Sequence, residues 1–473
     1  MKQTFFTIVL LFMIGGYFFA CKSDGSADES GQVEVWLTKA DGTVKFQKQQ
    51  ESPEFGEAQP KGVVIEVDTA TAYQSMDGFG YTLTGGSAAL IHQMEPQARQ
   101  NLLQELFSTE GNGIGVSYLR VSIGASDLSD HVFSYCDVPA GQTDPELKNF
   151  DLGPDKEHLI PLLKEILAIS PDLKILGSPW SPPVWMKTNQ KSVGGSLKPE
   201  FYPAYAQYFV KYIQAMEAEG IPVDAITVQN EPLHPGNNPS LLMPAADQAE
   251  FVKKHLGPAF EAAGVDTKII IYDHNADRID YPTEILSDSE AAQYVDGTAF
   301  HLYGGKIEDL SQLHNMFPDK NLYFTEQWVG APGDFASNLT WHVKNLIIGA
   351  SRNWCKTVLE WNLASDPNQD PHTEGGCTEC LGAVTIAGNQ AQKNVAWYII
   401  AHASKFVRPG SVRAATNMPD GLPNVGFKTP DGKKVLIVQN ESETEKEVAI
   451  RVGERNFQTR LPAQTVATYV WSR

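Results

Sequence analysis

Two glutamates in this chain stand where a carboxylate can do chemistry. Glu231 ends the apolar stretch 225–231 and Glu326 ends the stretch 321–326, and both stretches have the β-branched and aromatic content of buried parallel strands. A charge at the carboxyl end of such a strand is costly to desolvate unless it has a partner or a task. Two carboxylates placed in this way are suited to cleaving a glycosidic bond. That reaction needs a proton for the leaving oxygen and a group that meets the oxocarbenium-like carbon.

The two glutamates are predicted to have different roles. Glu231 is the expected acid/base, with Asn230 beside it to hydrogen-bond a sugar 2-hydroxyl, and Glu326 is the expected nucleophile. If the carboxyls lie about 5 Å apart, the sugar keeps its configuration. An ionised Glu326 should raise the pKa of Glu231 and give a bell-shaped pH–rate profile in the mildly acidic to neutral range. The alternative, that one glutamate is a surface or ion-pairing residue, is weakened by the matching position of the other.

Eight strand-like segments follow one another along the middle of the chain. They are 75–83, 116–123, 173–178, 225–229, 268–272, 297–301, 321–325 and 356–361. Amphipathic stretches fall between most of them, as at 201–219, which stops at Gly220. Strand and helix alternating eight times predicts an α/β fold of the (β/α)₈ TIM-barrel type. On this count Glu231 ends strand 4 and Glu326 ends strand 7.

Both ends of the chain read as strands without helices between them. Examples are 33–37, 63–67 and 434–440, and Asp431-Gly432 is a hairpin signal. We therefore expect one β-sandwich, built from both chain ends and attached to the barrel. The predicted divisions are a lipoprotein signal peptide at 1–20, a flexible tether at 21–32, sandwich strands at 33–74, the catalytic barrel at 75–395 and the rest of the sandwich at 396–473.

The N-terminus has the features of an export signal. Lys2 precedes an uncharged apolar run at 5–20, too short for a comfortable membrane span, and Cys21 follows in a sequence that resembles a bacterial lipobox. Cleavage before Cys21 would leave a lipid-anchored protein, expected at the outer membrane and with the cell surface as one destination. The alternative is an ordinary signal peptide with a chance cysteine.

The length and net charge of the chain limit the kinds of molecule that it can bind. The 473 residues carry a formal charge of −20, which argues against nucleic acid and against anionic membrane surfaces, leaving the lipid anchor as the only membrane link. The charge suits an enzyme that acts on a neutral substrate, and the chain is expected to be a monomer. The expected chemistry requires no cofactor and no metal. For an exported chain, Cys377 and Cys380 favour a local disulfide over a zinc site, which would need a second ligand pair.

Further motifs resemble glycoside hydrolase family 30, the family of glucosylceramidases and endo-β-1,6-glucanases. The resemblance runs from about residue 74 to the C-terminus. It rests on Asn230-Glu231-Pro232 and Phe324-Thr325-Glu326, together with the segments 74–80, 119–127, 178–183, 301–303 and 360–364. It implies a retaining β-glycosidase on a (β/α)₈ barrel with an attached β-sandwich.

The resemblance also implies roles for single residues. Asp127 and Trp180 would bind hydroxyls of the terminal sugar, and Trp361 would form an aromatic wall of the same subsite. His301 and Tyr303 would flank the nucleophile, and Arg120 would pair with the carboxylates from below. Arg120 as a plain ion-pair residue, His301 as a structural histidine and Trp180 as core remain the alternatives.

The segment after strand 8 departs from the lysosomal glucosylceramidase pattern. The glycine- and cysteine-bearing stretch 366–386 resembles the subgroup that contains microbial endo-β-1,6-glucanases. The first expectation is therefore internal cleavage of β-1,6-glucan, followed by glucosylceramidase, β-glucosidase or β-xylosidase activity. A hypothesis from another class is a non-catalytic glycan-binding surface lipoprotein. Trp328 and Trp341 are candidates for additional sugar stacking or plain packing.

Overall fold

The computed structural model describes residues 1, 32–57 and 59–472. The predicted signal peptide, the lipidation site Cys21 and nearly all of the tether therefore lie outside the described residues. Within the described part of the chain, no helix is both long and apolar enough to cross a membrane.

Eight parallel strands close into a barrel in chain order, as the sequence predicts. Strands 1 to 8 are Gly78–Leu83, Tyr118–Ser122, Lys174–Ser178, Ala225–Thr227, Lys268–Asn275, Val295–His301, Asn321–Glu326 and Cys355–Asn362. The predicted bounds differ most from the observed ones in strands 1 and 5. Strand 1 begins at Gly78 because Ser75 ends a sandwich strand, and strand 5 continues past Tyr272 to Asn275.

Helices surround the barrel between the strands. They are Gly85–His92, Pro96–Phe107, Leu159–Ile169, Tyr202–Ala218, Ala245–Phe251, Gly257–Ala263, Asp280–Ser287, Ser289–Ala292, Asp309–Met316, Phe335–His342 and Val395–Ser404, with π-helical turns at Val252–Leu256 and Val343–Ala350 and 3₁₀ turns at Gly153–Lys156, Val184–Met186 and Pro199–Phe201. Gly220, with φ of 80°, follows the end of the helix over Tyr202–Ala218, as expected of a helix-terminating glycine.

The barrel interior is packed with side chains rather than open. One apolar cluster takes a single residue from each of strands 2 to 8, namely Tyr118, Leu176, Ala225, Ile270, Ala299, Tyr323 and Leu359. Successive side chains of a strand point to opposite faces, so the next inward position lies two residues further on. Those positions are Arg120, Ser178, Thr227, His301, Thr325 and Trp361, on strands 2, 3, 4, 6, 7 and 8. This layer lies toward the carboxyl ends of the strands and is polar except for Trp361.

Strand 5 breaks the two-residue period. Tyr272 and Asp273 both have positive φ, 72° and 67°, and the pairing with strand 6 changes register between Tyr272 and His274. The extra residue is a β-bulge, which re-aims the side chains that follow it. As a result Asp273 faces the interior, whereas the Tyr272 ring stacks near Tyr281 of the outer helix over Asp280–Ser287.

The two chain ends form the sandwich, as predicted. Its strands are Glu34–Lys39, Gln47–Lys48, Val63–Ser75, Val412–Thr416, Asn424–Lys428, Lys434–Asn440, Lys446–Val452, Arg455–Leu461 and Thr465–Trp471. Glu34–Lys39 pairs antiparallel with Thr465–Trp471, and Val63–Ser75 connects Lys446–Val452 to Val412–Thr416. The predicted Asp431-Gly432 hairpin joins two antiparallel partners. A separate small sheet, Ala364–Ser365, Val384–Ala387 and Gln390–Lys393, follows strand 8.

The helix over Val395–Ser404 connects the barrel to the sandwich. The hydroxyl of Tyr81 in strand 1 donates to the carbonyl of Ala396, 3.0 Å away. On the same helix, the ring nitrogens of His402 each lie 2.8 Å from a threonine hydroxyl, of Thr38 and Thr468. Those threonines come from opposite ends of the chain and lie on adjacent, paired strands, so one buried histidine joins both chain ends to the barrel. The predicted boundary at 395 falls at the start of this helix and stays a prediction.

Candidate active site

Glu231 and Glu326 meet at the carboxyl end of the barrel. One ligand atom each of Glu231, His301 and Glu326 lies within 4.8 Å of the other two. Both carboxyls are buried, with residue exposures of 8% and 6%. Glu231 has a φ of 44°, a conformation that a non-glycine residue rarely adopts, and its N–H donates to the Asp273 carbonyl at 3.0 Å. The strand-end turn therefore aims this side chain at the partner from strand 7.

Glu326 has two hydrogen-bond donors. Arg120 Nη1 lies 2.5 Å from Oε2, and the Tyr303 hydroxyl lies 3.0 Å from Oε1. Burial raises the pKa of Glu326 and the charge of Glu231 adds to this, while His301 and Arg120 lower it. Arg120 and Tyr303 therefore stabilise, against the effect of burial, the ionised form that a nucleophile requires. Tyr303 is 41% exposed as a residue, although its hydroxyl points inward.

Glu231 has a different partner. His301 Nδ1 lies 3.1 Å from its Oε1, and His274 Nε2 lies 3.9 Å away. Burial raises the pKa of Glu231, but the hydrogen bond and charge of His301 and the charge of His274 lower it below its usual value. The expectation that Glu326 raises the pKa of Glu231 is therefore wrong for this arrangement. Nothing in the sequence indicated that His301 would approach Glu231 more closely than Glu326.

Asp273 is a residue of the site that the sequence analysis missed. Its Oδ2 accepts from Arg120 at 2.8 Å and from the hydroxyls of Ser178 and Thr227 at 2.8 and 2.7 Å. Its Oδ1 faces His301 Nε2 at 3.1 Å and accepts from the Thr325 hydroxyl at 2.6 Å. One buried carboxylate thus contacts five other barrel strands. Burial raises its pKa, but Arg120, His301 and Thr325 lower it far below the ordinary range.

His301 lies between three carboxylates. Its two nitrogens face Glu231 and Asp273, and Nδ1 is also 3.8 Å from Glu326. Burial lowers its pKa, but Glu326, Asp273 and Glu231 raise it to about 9. His301 is therefore an imidazolium at neutral pH, with both nitrogens donating. Glu231, His301 and Glu326 are close enough to surround a metal ion, and both ring nitrogens of His301 already face carboxylates.

Arg120 supports the site from below. Its guanidinium is fully buried and also donates to Asn230 Oδ1 at 2.7 Å, which orients the Asn230 amide. Its Cζ lies 4.7 Å from the ring centroid of Trp180 and 5.8 Å from that of Trp361. The two indoles lie 5.4 Å apart, so they form one aromatic wall over the cation.

An open cavity of about 490 Å³ lies above these groups. Its lining includes the predicted Asp127, Trp180, Glu231, Tyr303, Glu326, Trp328 and Trp361, and also His234, Asn237, His274, Asn275, Cys377 and Cys380. At its base, Arg120 donates to Glu326, His301 faces Glu231, and Asn230 accepts from Arg120. Burial, followed by the charge of Glu326, raises the pKa of Asp127 to about 7. Trp341 is 40% exposed on the helix over Phe335–His342 and does not line the cavity.

A short loop after strand 8, residues 373–380, closes one side of the cavity. Its cysteines, Cys377 and Cys380, form the disulfide that the sequence favours. The N–H of Thr373 donates to the backbone carbonyl of Asp127 at 2.9 Å, and the N–H of Cys377 donates to the Asp127 carboxylate. Near the far end of the loop, the Glu379 carbonyl accepts from the N–H of Ala331, in the loop after strand 7, at 2.8 Å. The loop therefore joins two walls of the cavity.

Comparison with known proteins agrees with this geometry. The glycosyl hydrolase family 30 TIM-barrel domain matches residues 76–407, and the family 30 β-sandwich domain matches residues 410–469. The endo-1,6-beta-D-glucanase neg1 of Aspergillus fumigatus is 34% identical over 433 residues, 85% of this chain and 86% of that protein. The mouse (Mus musculus) lysosomal acid glucosylceramidase is 30% identical over 442 residues, 87% of this chain and 84% of that protein. The solved endo-beta1,6-glucanase BT3312 superposes with a TM-score of 0.87 and 38% identity, covering 94% of this chain and 100% of that one.

Proposed function

This chain belongs to glycosyl hydrolase family 30, and from that premise we propose that it is an endo-β-1,6-glucanase that cleaves by double displacement. The carrying observation is the pair Glu231 and Glu326, whose nearest carboxyl oxygens lie within 4.8 Å at the ends of strands 4 and 7. A separation of about 5 Å is typical of retaining glycosidases, whereas inverting enzymes need roughly 6.5–9.5 Å to admit a water molecule.

The proposed reaction has two steps. In the first, Glu326 attacks the sugar carbon while Glu231 protonates the leaving oxygen, and a glycosyl-enzyme ester forms. In the second, Glu231 removes a proton from water, which attacks the same carbon and releases Glu326. Arg120 and Tyr303 stabilise the Glu326 charge before attack and after release.

Asp127, Trp180 and Trp361 form the proposed subsite for the sugar that is attacked. The Asp127 carboxylate can accept hydrogen bonds from two hydroxyls, and the indole faces suit the C–H faces of a sugar ring. Asn230, with its carbonyl oxygen held by Arg120, is placed to donate its amide to a 2-hydroxyl. These roles follow the family pattern and the cavity lining together.

The choice of β-1,6-glucan rests on the relatives and on the loop after strand 8. Three fungal relatives with 32–34% identity are named endo-1,6-beta-D-glucanases, as is the solved BT3312 structure. The loop 373–380 narrows the cavity from the strand 8 side and connects to Asp127. Glucosylceramidase activity is the second candidate, because the mouse glucosylceramidase covers the chain to a similar extent.

Product analysis on pustulan, a linear β-1,6-glucan, tests this proposal beside a synthetic β-glucoside. A ladder of short oligosaccharides with retained anomeric configuration supports an endo-β-1,6-glucanase. If pustulan is not cleaved while a small glucoside or glucosylceramide is, the result would favour the second candidate, glucosylceramidase activity. No cleavage of any of these substrates, with measurable glycan binding, would favour a non-catalytic glycan-binding lipoprotein.

Export and lipid anchoring form a separate part of the proposal, supported by Lys2, the apolar run at 5–20 and Cys21. Cells fed radiolabelled palmitate should label the wild-type protein and should not label a Cys21→Ser variant. Protease treatment of intact cells then tests whether the enzyme faces outward. Palmitate label in the Cys21→Ser variant would contradict anchoring at this residue.

A further inference from the structure

The cavity above the two glutamates has two chemically different sides. One side is aromatic and packed, with indoles and a disulfide from the ends of strands 3, 7 and 8 in one cluster, namely Trp180, Trp328, Trp361, Cys377 and Cys380. The other side follows strands 4 and 5. Apart from Glu231, its lining residues all carry an imidazole or an amide, namely His234, Asn237, His274 and Asn275. The proposed two-step reaction uses none of these four side chains, which we call the imidazole–amide side.

The position of the acid/base determines which part of the substrate meets this side. Glu231 must come within about 3 Å of the leaving oxygen to protonate it. It stands just after strand 4, and His274 Nε2 lies 3.9 Å from its Oε1. Asp127 and Trp361, from the proposed subsite for the attacked sugar, come from strands 2 and 8, across the closed barrel from strands 4 and 5. The departing half of the substrate therefore lies against the imidazole–amide side.

His274 presents an unused hydrogen-bond donor to this half. Burial lowers its pKa to about 4, so the ring is neutral at neutral pH and carries one proton. Its Nδ1 is buried and has no hydrogen-bond partner among the described residues, whereas a lone pair on Nε2 would face the Glu231 carboxylate. The proton is therefore more stable on Nε2. At 3.9 Å this N–H is too far from Glu231 for a hydrogen bond, and a substrate hydroxyl can accept it instead.

Asn275 presents a second donor whose direction is fixed. Its Oδ1 accepts from the N–H of Tyr303 at 2.9 Å, so Nδ2 is the free end of the amide, with no acceptor in the described part of the chain. The Asn275 carbonyl accepts from the Tyr272 hydroxyl at 2.6 Å, which holds the backbone in place. Tyr303 is itself held at its N–H by Asn275 and at its hydroxyl by Glu326, and its ring stays partly exposed. Together they offer a donor and an aromatic face to one sugar ring.

We propose that the imidazole–amide side is the subsite for the leaving group, and that His274 and Asn275 make it select a sugar over a lipid. This inference rests on the proposed function and deepens it by assigning the choice between its two candidate substrates. The leaving oxygen cannot make that choice, because O6 of a β-1,6-glucan and the sugar-bearing oxygen of ceramide both belong to primary alcohols. The groups beyond the oxygen must make it. Sugar hydroxyls can accept from both donors, whereas an alkyl chain would displace water and leave both donors unpaired.

The test compares two substrates that share the attacked sugar and the type of leaving oxygen. Gentiotriose with a ¹³C-labelled reducing glucose releases labelled glucose, and n-hexyl β-gentiobioside releases hexanol. We expect the wild-type kcat/KM to be about 50-fold or more higher for gentiotriose. His274→Phe keeps a ring but removes the donor, and should lower this ratio by about 10-fold or more. His274→Gln places an amide N–H near the position of Nε2–H and should retain more of the ratio than His274→Phe.

A matched control separates this effect from the loss of any buried histidine. His342 is buried and pairs with Glu360, outside the cavity, so His342→Phe should leave the ratio unchanged. A wild-type ratio near one, or an unchanged ratio in His274→Phe, would overturn the inference while cleavage of pustulan still supports the proposed function. A wild-type enzyme that cleaves neither pustulan nor gentiotriose would instead refute the proposed function.

A measurement on the wild-type enzyme decides the question if His274→Phe does not fold. The glycosyl-enzyme formed from 2,4-dinitrophenyl β-gentiobioside can react with an alcohol in place of water, and that alcohol must bind where the leaving group departed. The bond between the sugar carbon and Glu326 breaks, a bond to the alcohol oxygen forms, and Glu231 takes the alcohol proton. Methyl β-glucoside should give saturable transfer to its O6, and 1-hexanol at equal concentration should give less than about a tenth as much product. Equal transfer to the two alcohols would overturn the inference.

Discussion

The floor and the rim of the cavity differ in how they are built. The floor, defined as Arg120, Asp273, His301 and the hydroxyls of Ser178, Thr227 and Thr325, stands on barrel strands and is almost fully buried. The rim, defined as Tyr303, Trp328 and the loop 373–380, stands on connections after strands 6, 7 and 8, and much of it is exposed. Strands pin side chains through sheet register, whereas loops can change length without disturbing the barrel.

Because of this difference, we expect the floor and the rim to have separate functions. The floor determines the protonation and position of the two glutamates, which every β-glycosidase of this type needs. The rim determines which sugar chain reaches them. Relatives named as glucanases and as glucosylceramidases match nearly the same share of the chain. We therefore expect floor variants to affect all substrates and rim variants to affect some of them.

The largest expected effect tests whether Glu326 is the nucleophile that the floor supports. Glu326→Ala should lower kcat on pustulan by about 10⁴-fold or more. Azide should fit the vacated space and restore turnover of an activated gentiobioside, with an α-glycosyl azide as product. The matched control is Glu360→Gln, since Glu360 is equally buried on strand 8 but pairs with His342. Unchanged activity in Glu326→Ala would remove the catalytic assignment.

The next effect tests the acid/base. Glu231→Gln should lower kcat/KM on pustulan by about 10²–10³-fold, because the leaving oxygen loses its proton donor. On 2,4-dinitrophenyl β-gentiobioside, whose leaving group departs without protonation, the glycosyl-enzyme should form normally and then hydrolyse slowly. Both kcat and KM should therefore fall together on this substrate. Azide should accelerate breakdown of the glycosyl-enzyme and give a β-glycosyl azide. An equal fall of kcat/KM on both substrates would mean that Glu231 has a structural role and is not the acid/base.

Asp127 lies between the floor and the rim, and its replacement tests whether its carboxylate contributes to substrate binding. Asp127→Asn should raise KM by about 10-fold or more, because a charge-assisted hydrogen bond to sugar is lost. The same substitution should stabilise the fold and therefore raise the free energy of unfolding. Burial raises the pKa of Asp127 from 3.8 to about 7, so the folded protein binds this proton more tightly than the unfolded chain.

The pH window of that response follows from the two pKa values. The folded state suffers no penalty from Asp127 below about pH 4 and the full penalty above about pH 7. Asp127→Asn should therefore raise Tm more at pH 8 than at pH 4.5. Thermal unfolding of both proteins at the two pH values measures the difference. A Tm gain that is larger at pH 4.5 would contradict the burial of an ionisable group here.

The disulfide loop tests whether the rim affects binding without affecting chemistry. A Cys377→Ser/Cys380→Ser double variant should raise KM on pustulan by about 5-fold, because the loop that donates to Asp127 loses its closure. Its kcat should stay within about twofold. Dithiothreitol should reproduce the effect in the wild-type enzyme and add nothing to the double variant, because the other two cysteines among the described residues, Cys136 and Cys355, form no disulfide. A changed kcat with constant KM would show that the loop reaches the chemistry.

The smallest expected effect separates a partly buried tryptophan, Trp328, from an exposed one, Trp341. Trp328 lines the cavity beside the disulfide, whereas Trp341 lies on an outer helix. Trp328→Ala should raise KM for pustulan by about 3- to 10-fold through lost stacking, and Trp341→Ala should change it by less than about twofold. Titration with gentio-oligosaccharides of increasing length gives the same comparison as binding. Equal effects of the two substitutions would remove Trp328 from the proposed sugar path.

Much of the fold and part of the site could be predicted because they depend on local patterns. Each barrel strand is a short apolar run between turn residues, so its position follows from composition, and a strand-terminal glutamate stands out against it. The pairing of the chain ends followed from their strand patterns and the absence of helices. Strand 5 was the exception, because its bulge carries no composition signal and the predicted strand ended one residue before Asp273.

The sequence by itself determined the alternation of strands and helices and the places of the two glutamates, after strand 4 and at the end of strand 7, because these depend on residue type and spacing. Only the tertiary structure decided the protonation of the site. Arg120 and Asp273 are 153 residues apart, and His301 meets Glu231 across 70 residues. A pKa depends on the few ångströms around a group, and the bulge that turned Asp273 inward gave Arg120 and His301 a shared anionic neighbour.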